Sequence, residues 1–198
     1  MNQEPSRNGR LILAAVVAII AFALDLWTKQ WAWDHVRPPE GQAVAVIDRI
    51  FYLRYGFNTG SAFSFLRDAS WARQFFIVVT LFALGYMGWM VATMPTKRGY
   101  GFIAVALIAG GAAGNLYDRI VRLDNVMING ESVERHGVVD FLQVYLNYET
   151  GYYWPIFNVA DMCLCVGVGL LLIFMYQEGK DEAAAAAAAA AAEAQPAA

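Results

Sequence analysis

Charged residues and cysteines are both scarce in this chain. Asp, Glu, Lys and Arg make up 16% of the 198 residues, whereas soluble domains carry about 25% charged residues. The formal net charge of −3 gives no sign of the strongly basic surface with which proteins bind nucleic acids. Cys163 and Cys165 are two positions apart in one apolar stretch, where side chains on a helix do not face each other. We interpret them as small apolar side chains and not as a disulfide.

Histidine is equally rare. His35 and His136 lie outside the hydrophobic stretches of the chain. The sequence has no His-Glu-x-x-His motif and no Cys/His cluster, which are common signatures of a zinc site. It therefore predicts a protein without a metal site, and nothing in it indicates a cofactor.

Apolar residues dominate instead. They make up 59% of the chain, and the mean hydropathy is +0.41, against about 45–50% apolar residues in a soluble domain. Hydrophobic stretches cover residues 11–33, 71–94, 100–121 and 154–176, each near the roughly 20 residues that cross a bilayer. The first is too long for a signal peptide and lacks a small-residue cleavage pattern. These stretches predict an all-α membrane protein with four transmembrane helices.

Basic residues at the ends of these stretches predict the orientation in the membrane. They are Arg7, Arg10, Lys97, Arg98 and Lys180. The positive-inside rule places all of them in the cytoplasm. Both termini should then be cytoplasmic, and the longer connections, 34–70 and 122–153, should face outward.

The outward connections contain strand-like segments. Residues 43–47 and 50–55 are rich in branched and aromatic side chains, which favour strands. They predict a small β segment on the outer membrane surface. Within 122–137, the dipeptide Asn129-Gly130 is typical of a hairpin turn and predicts a second, outward hairpin.

The C-terminal end is of low complexity. Ten alanines follow Asp181 and Glu182, and because alanine is the best helix former, a helical extension of the fourth stretch is expected. We therefore divide the chain into one membrane domain, residues 1–178, and an alanine-rich cytoplasmic tail, residues 179–198. A short interfacial helix is expected over residues 67–72, before the second stretch.

Two carboxylates lie close to membrane depth. Asp140 belongs to the strand-like run Val139-Asp140-Phe141, and Asp161 lies in the first turns of the fourth stretch. A carboxylate inside a membrane costs about 2.5–3.5 kcal/mol on insertion scales, which makes each one a functional hypothesis. Placed at one membrane face, the two can share a proton, as the aspartates of aspartic proteases do. The alternative is that Asp161 is a structural acid bonded to Arg119.

Other polar residues near these carboxylates have structural alternatives too. Asp25 and Lys29 are four residues apart on one helix face, so they form either a structural ion pair or the support of a polar site. Asn58 either serves the turn of residues 58–63 or donates its amide to a substrate backbone.

The third stretch ends in a glycine-rich and polar segment. Residues 110–119 read Gly-Gly-Ala-Ala-Gly-Asn-Leu-Tyr-Asp-Arg. Gly110 and Gly114 form a small-xxx-small pair, which favours close helix packing.

Two pairs of polar residues share a helix face by their spacing. Asn115 pairs with Arg119 in the third stretch, and Asn158 pairs with Asp161 in the fourth.

A proton-coupled transporter is the alternative to an enzyme, because intramembrane Asp and Arg residues also build proton relays. Transporters often contain internal repeats with broken helices, and this sequence shows no repeat. Its acids are also predicted at the outer ends of the stretches and not at their middle. The pattern favours an enzyme.

Five segments, in this order, resemble the motifs of the bacterial lipoprotein signal peptidases, also called signal peptidase II. They are Asp25 to Lys29, Asn58-Thr59-Gly60-Ser61-Ala62-Phe63, Gly110 to Arg119, Val139-Asp140-Phe141 and Phe157-Asn158-Val159-Ala160-Asp161. The resemblance extends over residues 11–176. Two features depart from the family pattern: the segment 122–137 is longer, and the alanine-rich tail is additional. We expect the longer segment to be dispensable for the chemistry.

The resemblance implies an aspartic endopeptidase of the bacterial inner membrane whose site and small β segment face the periplasm. Its substrates are prolipoproteins, cut before a cysteine that carries a diacylglyceryl group. Membrane lipids and globomycin-type inhibitors are its other implied partners. By motif position, Asp140 and Asp161 are the catalytic pair. The residues that line or support the site, matched in the same way, are Asn58, Asn115, Arg119, Asn158, Asp25, Lys29, Gly111 and Gly114.

Overall fold

The computed structural model describes residues 6–37, 42–60, 71–128 and 130–193. Four helices and six strands follow one another along these residues. In chain order they are α1 (Arg7–His35), β1 (Val44–Ile47), β2 (Phe51–Asn58), α2 (Ala72–Thr93), α3 (Gly99–Val121), β3 (Leu123–Ile128), β4 (Glu131–His136), β5 (Val138–Asn147), β6 (Tyr152–Tyr153) and α4 (Val159–Glu193). Half of the predicted turn over residues 58–63 and most of the predicted interfacial helix over 67–72 lie outside the described residues.

All four helices are long and apolar enough to cross a membrane, as the hydrophobic stretches predicted. The predicted start of the fourth helix at residue 154 is wrong, because α4 begins only at Val159. The preceding residues are extended, and the backbone of Phe157 exchanges hydrogen bonds of 3.0 and 2.8 Å with that of Leu142. At its other end α4 continues through the alanines to Glu193, as expected from their helix propensity.

Helix α3 lies at the centre of the bundle and packs against α1, α2 and α4. Glycines allow this close packing: a Cβ atom on Gly110 would lie 2.7 Å from the carbonyl oxygen of Ala18 in α1. On the other helices, large apolar side chains such as Ile19, Phe82 and Leu172 remain exposed. An apolar outer surface of this kind suits the hydrocarbon of a bilayer.

The predicted cytoplasmic basic residues meet at one end of the bundle. Arg10 Nε donates to the carbonyl oxygen of Thr96 at 3.1 Å, in the turn between α2 and α3. Arg98, in the same turn, forms ion pairs with Glu178 and Asp181 of α4. These contacts join α1, the α2–α3 turn and α4.

A sheet with the strand order β1-β2-β5-β6 lies at the opposite end of α1, and all of its pairings are antiparallel. The two segments predicted as strands before the second helix are confirmed as β1 and β2. A small core of Ala32 and Val36 with Val139 and Phe141 of β5 fixes the sheet to the end of α1. In the register of β2 and β5, Gly56 lies opposite Asp140.

The hairpin predicted within residues 122–137 is also confirmed. Strands β3 and β4 pair from Leu123 opposite His136 to Ile128 opposite Glu131, and Gly130 adopts a positive φ of 88° in the turn. The Tyr55 hydroxyl of β2 donates to Asp124 Oδ2 at 2.5 Å, so the root of the hairpin is attached to the sheet.

Candidate active site

Asp140 lies on β5 and is 5% exposed. Two amides donate to its carboxylate: Asn158 Nδ2 to Oδ1 at 2.7 Å and Asn58 Nδ2 to Oδ2 at 3.2 Å. Burial raises the pKa of Asp140 to about 7, and the negative charge of Asp161 raises it as well. Asp140 is therefore a carboxyl group that readily holds a proton near neutral pH.

Asp161 belongs to the first turn of α4 and forms a capping box with Asn158, the residue before the helix. Asn158 Oδ1 accepts the backbone N–H of Asp161 at 3.0 Å, and Asp161 Oδ2 accepts that of Asn158 at 3.2 Å. The remaining carboxylate oxygen, Oδ1, accepts from Asn115 Nδ2 at 3.0 Å. Both oxygens of Asp161 thus receive a hydrogen bond of fixed direction.

Asn158 is the residue that links the two carboxylates. Its side-chain amide donates to Asp140, and its backbone N–H donates to Asp161. Asn158 is fully buried, and its Nδ2 also lies 3.2 Å from Asn115 Oδ1. The structure therefore brings together the pair predicted from sequence and all three of the asparagines predicted beside it.

Lys29 and Asp25 lie directly behind this group, and both side chains have no exposed surface. Lys29 Nζ is 2.7 Å from Asp25 Oδ2 and donates to Asn115 Oδ1 at 2.8 Å. Asp25 Oδ1 accepts the backbone N–H of Ala160 at 2.8 Å. The two residues are more than an isolated ion pair, because they contact both α3 and the start of α4.

Asp118 was not among the site residues predicted from sequence. It has no exposed surface and lies 3.3 Å from Lys29 Nζ through its Oδ2 atom. The same oxygen accepts the backbone N–H of Val139 at 3.1 Å, while Oδ1 accepts from Arg122 Nε at 2.7 Å. The sequence holds two signals for this residue: the spacing of Asp118 and Arg122, four residues apart at the end of α3, and the place of Asp118 within the matching segment Gly110 to Arg119.

Gly111 and Gly114 allow α3 to approach the polar group closely. A Cβ atom on Gly114 would lie 2.1 Å from Asp25 Oδ2, and one on Gly111 would lie 2.5 Å from the carbonyl oxygen of Ala160. Both distances are far below any contact that a real Cβ atom makes. The two glycines thus leave the space that Asp25 and the start of α4 occupy.

A pocket of about 850 Å³ opens in front of the two carboxylates. The residues that line it are Gly56, Phe57, Asn58, Arg119, Asp140, Tyr153, Trp154, Pro155, Ile156, Phe157 and Asp161. The stretch from Tyr153 to Phe157 was missed as a wall of the site, because the sequence assigned most of it to the fourth helix. Its extended conformation brings the backbone and the aromatic side chains to the pocket.

Arg119 contributes a positive charge to the pocket. Its Nη1 donates to the carbonyl oxygen of Asn115 at 3.2 Å, and its Cζ lies 5.2 Å from the ring centroid of Phe76. No ion pair joins Arg119 to Asp161 within the part of the chain that the structure describes. The interpretation of Asp161 as a structural acid bonded to Arg119 is therefore wrong.

Across the described ranges, no group of three or more His, Cys, Asp or Glu side chains is arranged to hold a metal ion. The carboxylates of the site instead contact amides, backbone N–H groups, the ammonium group of Lys29 and the guanidinium group of Arg122.

Residues 17–177 match the protein family described as signal peptidase (SPase) II. The chain belongs to the signal peptidase II family. The resemblance drawn from its five motifs is thereby confirmed, and the chain is a multi-pass membrane protein with four spans. The match begins within α1, at residue 17, and ends within α4, at residue 177, so it leaves out the N-terminal residues and the alanine-rich end.

Curated members of the signal peptidase II family are similar over most of their length. A lipoprotein signal peptidase of Xanthomonas oryzae pv. oryzae is 36% identical over 169 residues, which are 83% of this chain and 87% of the relative. One of Alteromonas mediterranea is 35% identical over 150 residues, or 75% of this chain and 71% of the relative.

Solved structures agree with the fold. A bacterial membrane enzyme determined by the in meso method at 2.3 Å resolution superposes with a TM-score of 0.66 at 25% identity, covering 85% of this chain and 90% of that chain. A second bacterial membrane enzyme, determined by the same method at 1.9 Å, gives 0.64 at 26% identity over 82% and 92%.

Proposed function

We propose that this member of the signal peptidase II family is an aspartic endopeptidase, which removes signal peptides from prolipoproteins whose cysteine carries a diacylglyceryl group. The name shared by its relatives supports the substrate class. The observation that carries the mechanism is the position of Asn158, which donates one hydrogen bond to Asp140 and another to Asp161 at the wall of one pocket. Two carboxylates held this closely can share a single proton.

The two aspartates take different roles. Asp140 is the neutral partner, because burial raises its pKa to about 7. Asp161 then takes the ionised role in the pair, because one of the two carboxyl groups must be ionised to accept a proton from water. The pair then holds one proton in total near neutral pH, and its apparent pKa values belong to both residues together.

Hydrolysis follows from this charge state. Asp161 takes a proton from a water molecule, and the water oxygen attacks the scissile carbonyl carbon. Asp140 donates its proton to the carbonyl oxygen as negative charge develops there. When the tetrahedral intermediate collapses, the C–N bond breaks and the leaving amine takes the proton that Asp161 received. The former carbonyl oxygen returns its proton to Asp140 as the C=O bond forms again, so Asp140 is once more protonated and Asp161 ionised.

The side chains that line the pocket are suited to bind the substrate peptide. Arg119 and Asn58 present polar groups beside the carboxylates and hold the substrate backbone, while the aromatic and apolar side chains from Tyr153 to Phe157 form the opposite wall. The acyl chains of the substrate stay in the bilayer between the spans. A cyclic peptide inhibitor of the globomycin type would occupy the same pocket and compete with the substrate.

The orientation in the membrane is part of the proposal. Both termini are cytoplasmic, residues 179–198 form a cytoplasmic tail outside the membrane domain of residues 1–178, and the pocket faces the periplasm of the inner membrane. Reporter fusions after Met94 and after Lys180 should read as cytoplasmic, and a fusion at Asp48 as external. A cytoplasmic signal at Asp48 would contradict this orientation and remove the carboxylates from the outer face.

The decisive experiment is cleavage of a diacylglyceryl-cysteine precursor peptide by purified Asp140→Asn and Asp161→Asn, at matched thermal stability. Each change keeps the shape of the side chain and removes its ionisable group, so each should abolish cleavage. The double change should be hardly worse than either single one, because residues that act as a unit are not additive. Near-normal cleavage by either single variant would exclude the mechanism.

A further inference from the structure

The residue before each catalytic aspartate donates its backbone N–H to a carboxylate that Lys29 holds. Ala160 precedes Asp161, and its N–H donates to Asp25 Oδ1 at 2.8 Å. Val139 precedes Asp140, and its N–H donates to Asp118 Oδ2 at 3.1 Å. Lys29 Nζ lies 2.7 Å from Asp25 Oδ2 and 3.3 Å from Asp118 Oδ2. One ammonium group is thus joined in the same way to the start of α4 and to strand β5.

The third contact of Lys29 fixes the orientation of the Asn115 side-chain amide. Its Nζ donates to Asn115 Oδ1 at 2.8 Å, so the Nδ2 group of Asn115 is directed to Asp161 Oδ1, at 3.0 Å. A rotated Asn115 amide would turn its NH₂ group against the ammonium of Lys29 and its oxygen against the carboxylate of Asp161. Both contacts would be repulsive, so the charge of Lys29 permits only one orientation of the amide.

We propose that Lys29 is a positioning residue, which sets the separation and orientation of the Asp140–Asp161 pair. The inference rests on the proposed aspartic mechanism. Lys29 touches neither aspartate of the pair and instead acts through Asp25, Asp118 and Asn115. Supporting residues that lock the groups in contact with the reaction are what hold a catalytic arrangement to its productive geometry.

The charges around Lys29 balance one another, which explains how these side chains can be buried behind the pocket. Lys29 and Arg122 carry two positive charges, and Asp25 and Asp118 carry two negative ones. Lys29, Asp25 and Asp118 have no exposed side-chain surface. Replacing a buried ion pair by neutral groups of similar volume is often neutral for stability, whereas removing one partner alone is strongly destabilising. Stability and positioning can therefore be separated by experiment.

Lys29→Met removes the ammonium and leaves two buried carboxylates, so it should lower both thermal stability and turnover. The triple variant Lys29→Met/Asp25→Asn/Asp118→Asn removes the buried carboxylates as well and should regain stability. Arg122 loses its ion pair in this variant, but its side chain is partly exposed and the amide oxygen of Asp118→Asn can still accept its hydrogen bond. Its kcat should nevertheless stay about 100-fold below that of the unmodified protein, because a misplacement of about 1 Å can cost that much. KM should change by no more than about threefold, since the pocket groups Asn58 and Arg119 do not contact Lys29.

Arg98→Met is the matched control. Arg98 pairs with two acids, Glu178 and Asp181, as Lys29 does, but at the opposite end of the bundle. This variant should lose thermal stability and keep the kcat of its folded fraction. A role of Lys29 in stability alone predicts that Lys29→Met also keeps the kcat of its folded fraction, and that the triple variant has the kcat of the unmodified protein.

The dependence of activity on pH reports the distance between Asp140 and Asp161. It is measured for the milder single variants Asp25→Asn and Asp118→Asn. The nearer two carboxyl groups are, the further apart their two apparent pKa values lie. Each variant weakens one of the two hydrogen bonds that hold the aspartates, either Asp25 to the Ala160 N–H or Asp118 to the Val139 N–H. The aspartates should then move apart, and the pH range of activity should become narrower. A triple variant with kcat within about threefold of the unmodified protein, or single variants with unchanged pH profiles, would overturn the positioning role. Inactive Asp140→Asn and Asp161→Asn in the same assay would leave the proposed function intact, whereas their activity would overturn the function itself.

Discussion

Asn158 and Asp161 each donate a backbone N–H to the side chain of the other, at 3.2 and 3.0 Å. The carboxylate proposed as the general base is therefore also part of the cap that begins α4. A negative charge in the first turn interacts favourably with the positive end of the helix dipole. Catalytic geometry and helix initiation depend on the same few atoms, so changes here need variants that affect one property at a time.

Asn158→Leu and Asn158→Ser together separate these two properties. Leucine removes the cap and the amide, so both stability and turnover should fall. Serine can still accept the Asp161 N–H and should retain most of the roughly 1 kcal/mol that an N-cap contributes, but it cannot reach Asp140 as an amide donor. Turnover should therefore stay low in the serine variant while the melting temperature recovers. Turnover that follows the melting temperature in both variants would assign Asn158 to capping alone.

Activity should decline on the alkaline side of an apparent pKa near the value of about 7 found for Asp140. The mechanism needs Asp140 protonated, so above this pH each further unit should lower kcat/KM about tenfold. The measurement is kcat/KM for a precursor peptide across about pH 5 to pH 9. A rate that stays constant or rises through the alkaline range would mean that the reaction does not need a protonated carboxyl group in the pair, which would contradict the mechanism.

Stability should also respond to the protonation of Asp140. Its pKa is raised from 3.8 to about 7 in the folded protein, so between these values the folded state binds more protons than the unfolded state. Stability from this group is therefore present at low pH and lost as the pH rises through about 7. Asp140→Asn removes this loss, which is at most about 4 kcal/mol.

The stability of Asp140→Asn relative to the unmodified protein should thus improve from about pH 4 to about pH 7 and level off above. Thermal unfolding in detergent measures this difference. The pH trend is diagnostic, because a constant offset also contains the altered hydrogen bonds to Asn58 and Asn158. Glu149→Gln, at an exposed carboxylate, should give a curve parallel to that of the unmodified protein. A parallel curve for Asp140→Asn would show that the pKa of this carboxyl group is the same in the folded and unfolded states, which would contradict the role of Asp140 as the neutral partner.

Gly114→Ala and Gly111→Ala should both reduce turnover and stability. The added methyl group would lie 2.1 Å from Asp25 Oδ2 in the first case and 2.5 Å from the Ala160 carbonyl oxygen in the second. Overpacking of this kind costs about 1–3 kcal/mol. Gly88→Ala in α2 is the control, because nothing lies within 4 Å of its Cβ position. That variant should be stabilised by about 0.5–1 kcal/mol; if all three variants behaved alike, close packing of α3 would not be the cause.

Replacing residues 123–135 with a short Gly-Ser linker should leave cleavage measurable. Leu123 pairs directly with His136, so a short linker can close the gap, and Arg122 keeps its bond to Asp118. The hydrogen bond between Tyr55 and Asp124 is lost, and the melting temperature should fall slightly. Tyr55→Phe in the unmodified chain should reproduce that fall. A folded linker variant without any cleavage would mean that the hairpin contributes to the site.

Hydrophobicity and local spacing made much of the fold predictable. The four spans follow from apolar length, and the helix-face pair of Asp25 with Lys29 follows from spacing. Spacing also predicted that Asn158 and Asp161 meet, but they meet as a capping box at the start of α4 and not on a helix face. The start of α4 was misplaced, because an apolar run such as Trp154 to Phe157 fits a helix or an edge strand equally well. Only the pairing of Phe157 with Leu142 decides between them.

The contacts behind the aspartates could not be read from spacing. Spacing predicts the pair of Lys29 with Asp25, and motif position predicts that both support the site, but neither predicts the contacts of Lys29 with Asn115 and Asp118 on another helix. Such contacts depend on how α1 packs on α3, which no periodicity within one segment records. The five ordered motifs compensated for this, since they indicated which distant residues meet without indicating how.

The two aspartates come from different kinds of structure, and this determines how much of the chain the site requires. Asp140 depends on β5 pairing with β2, which lies before α2 in the chain, whereas Asp161 depends on the first turn of α4. Along the chain β2 comes first, β5 follows α3, and α4 comes last. A chain without α4 would hold Asp140 on the sheet but would lack Asp161. The proposed pair therefore needs the whole length from β2 to the start of α4, and no shorter segment holds both carboxylates in place.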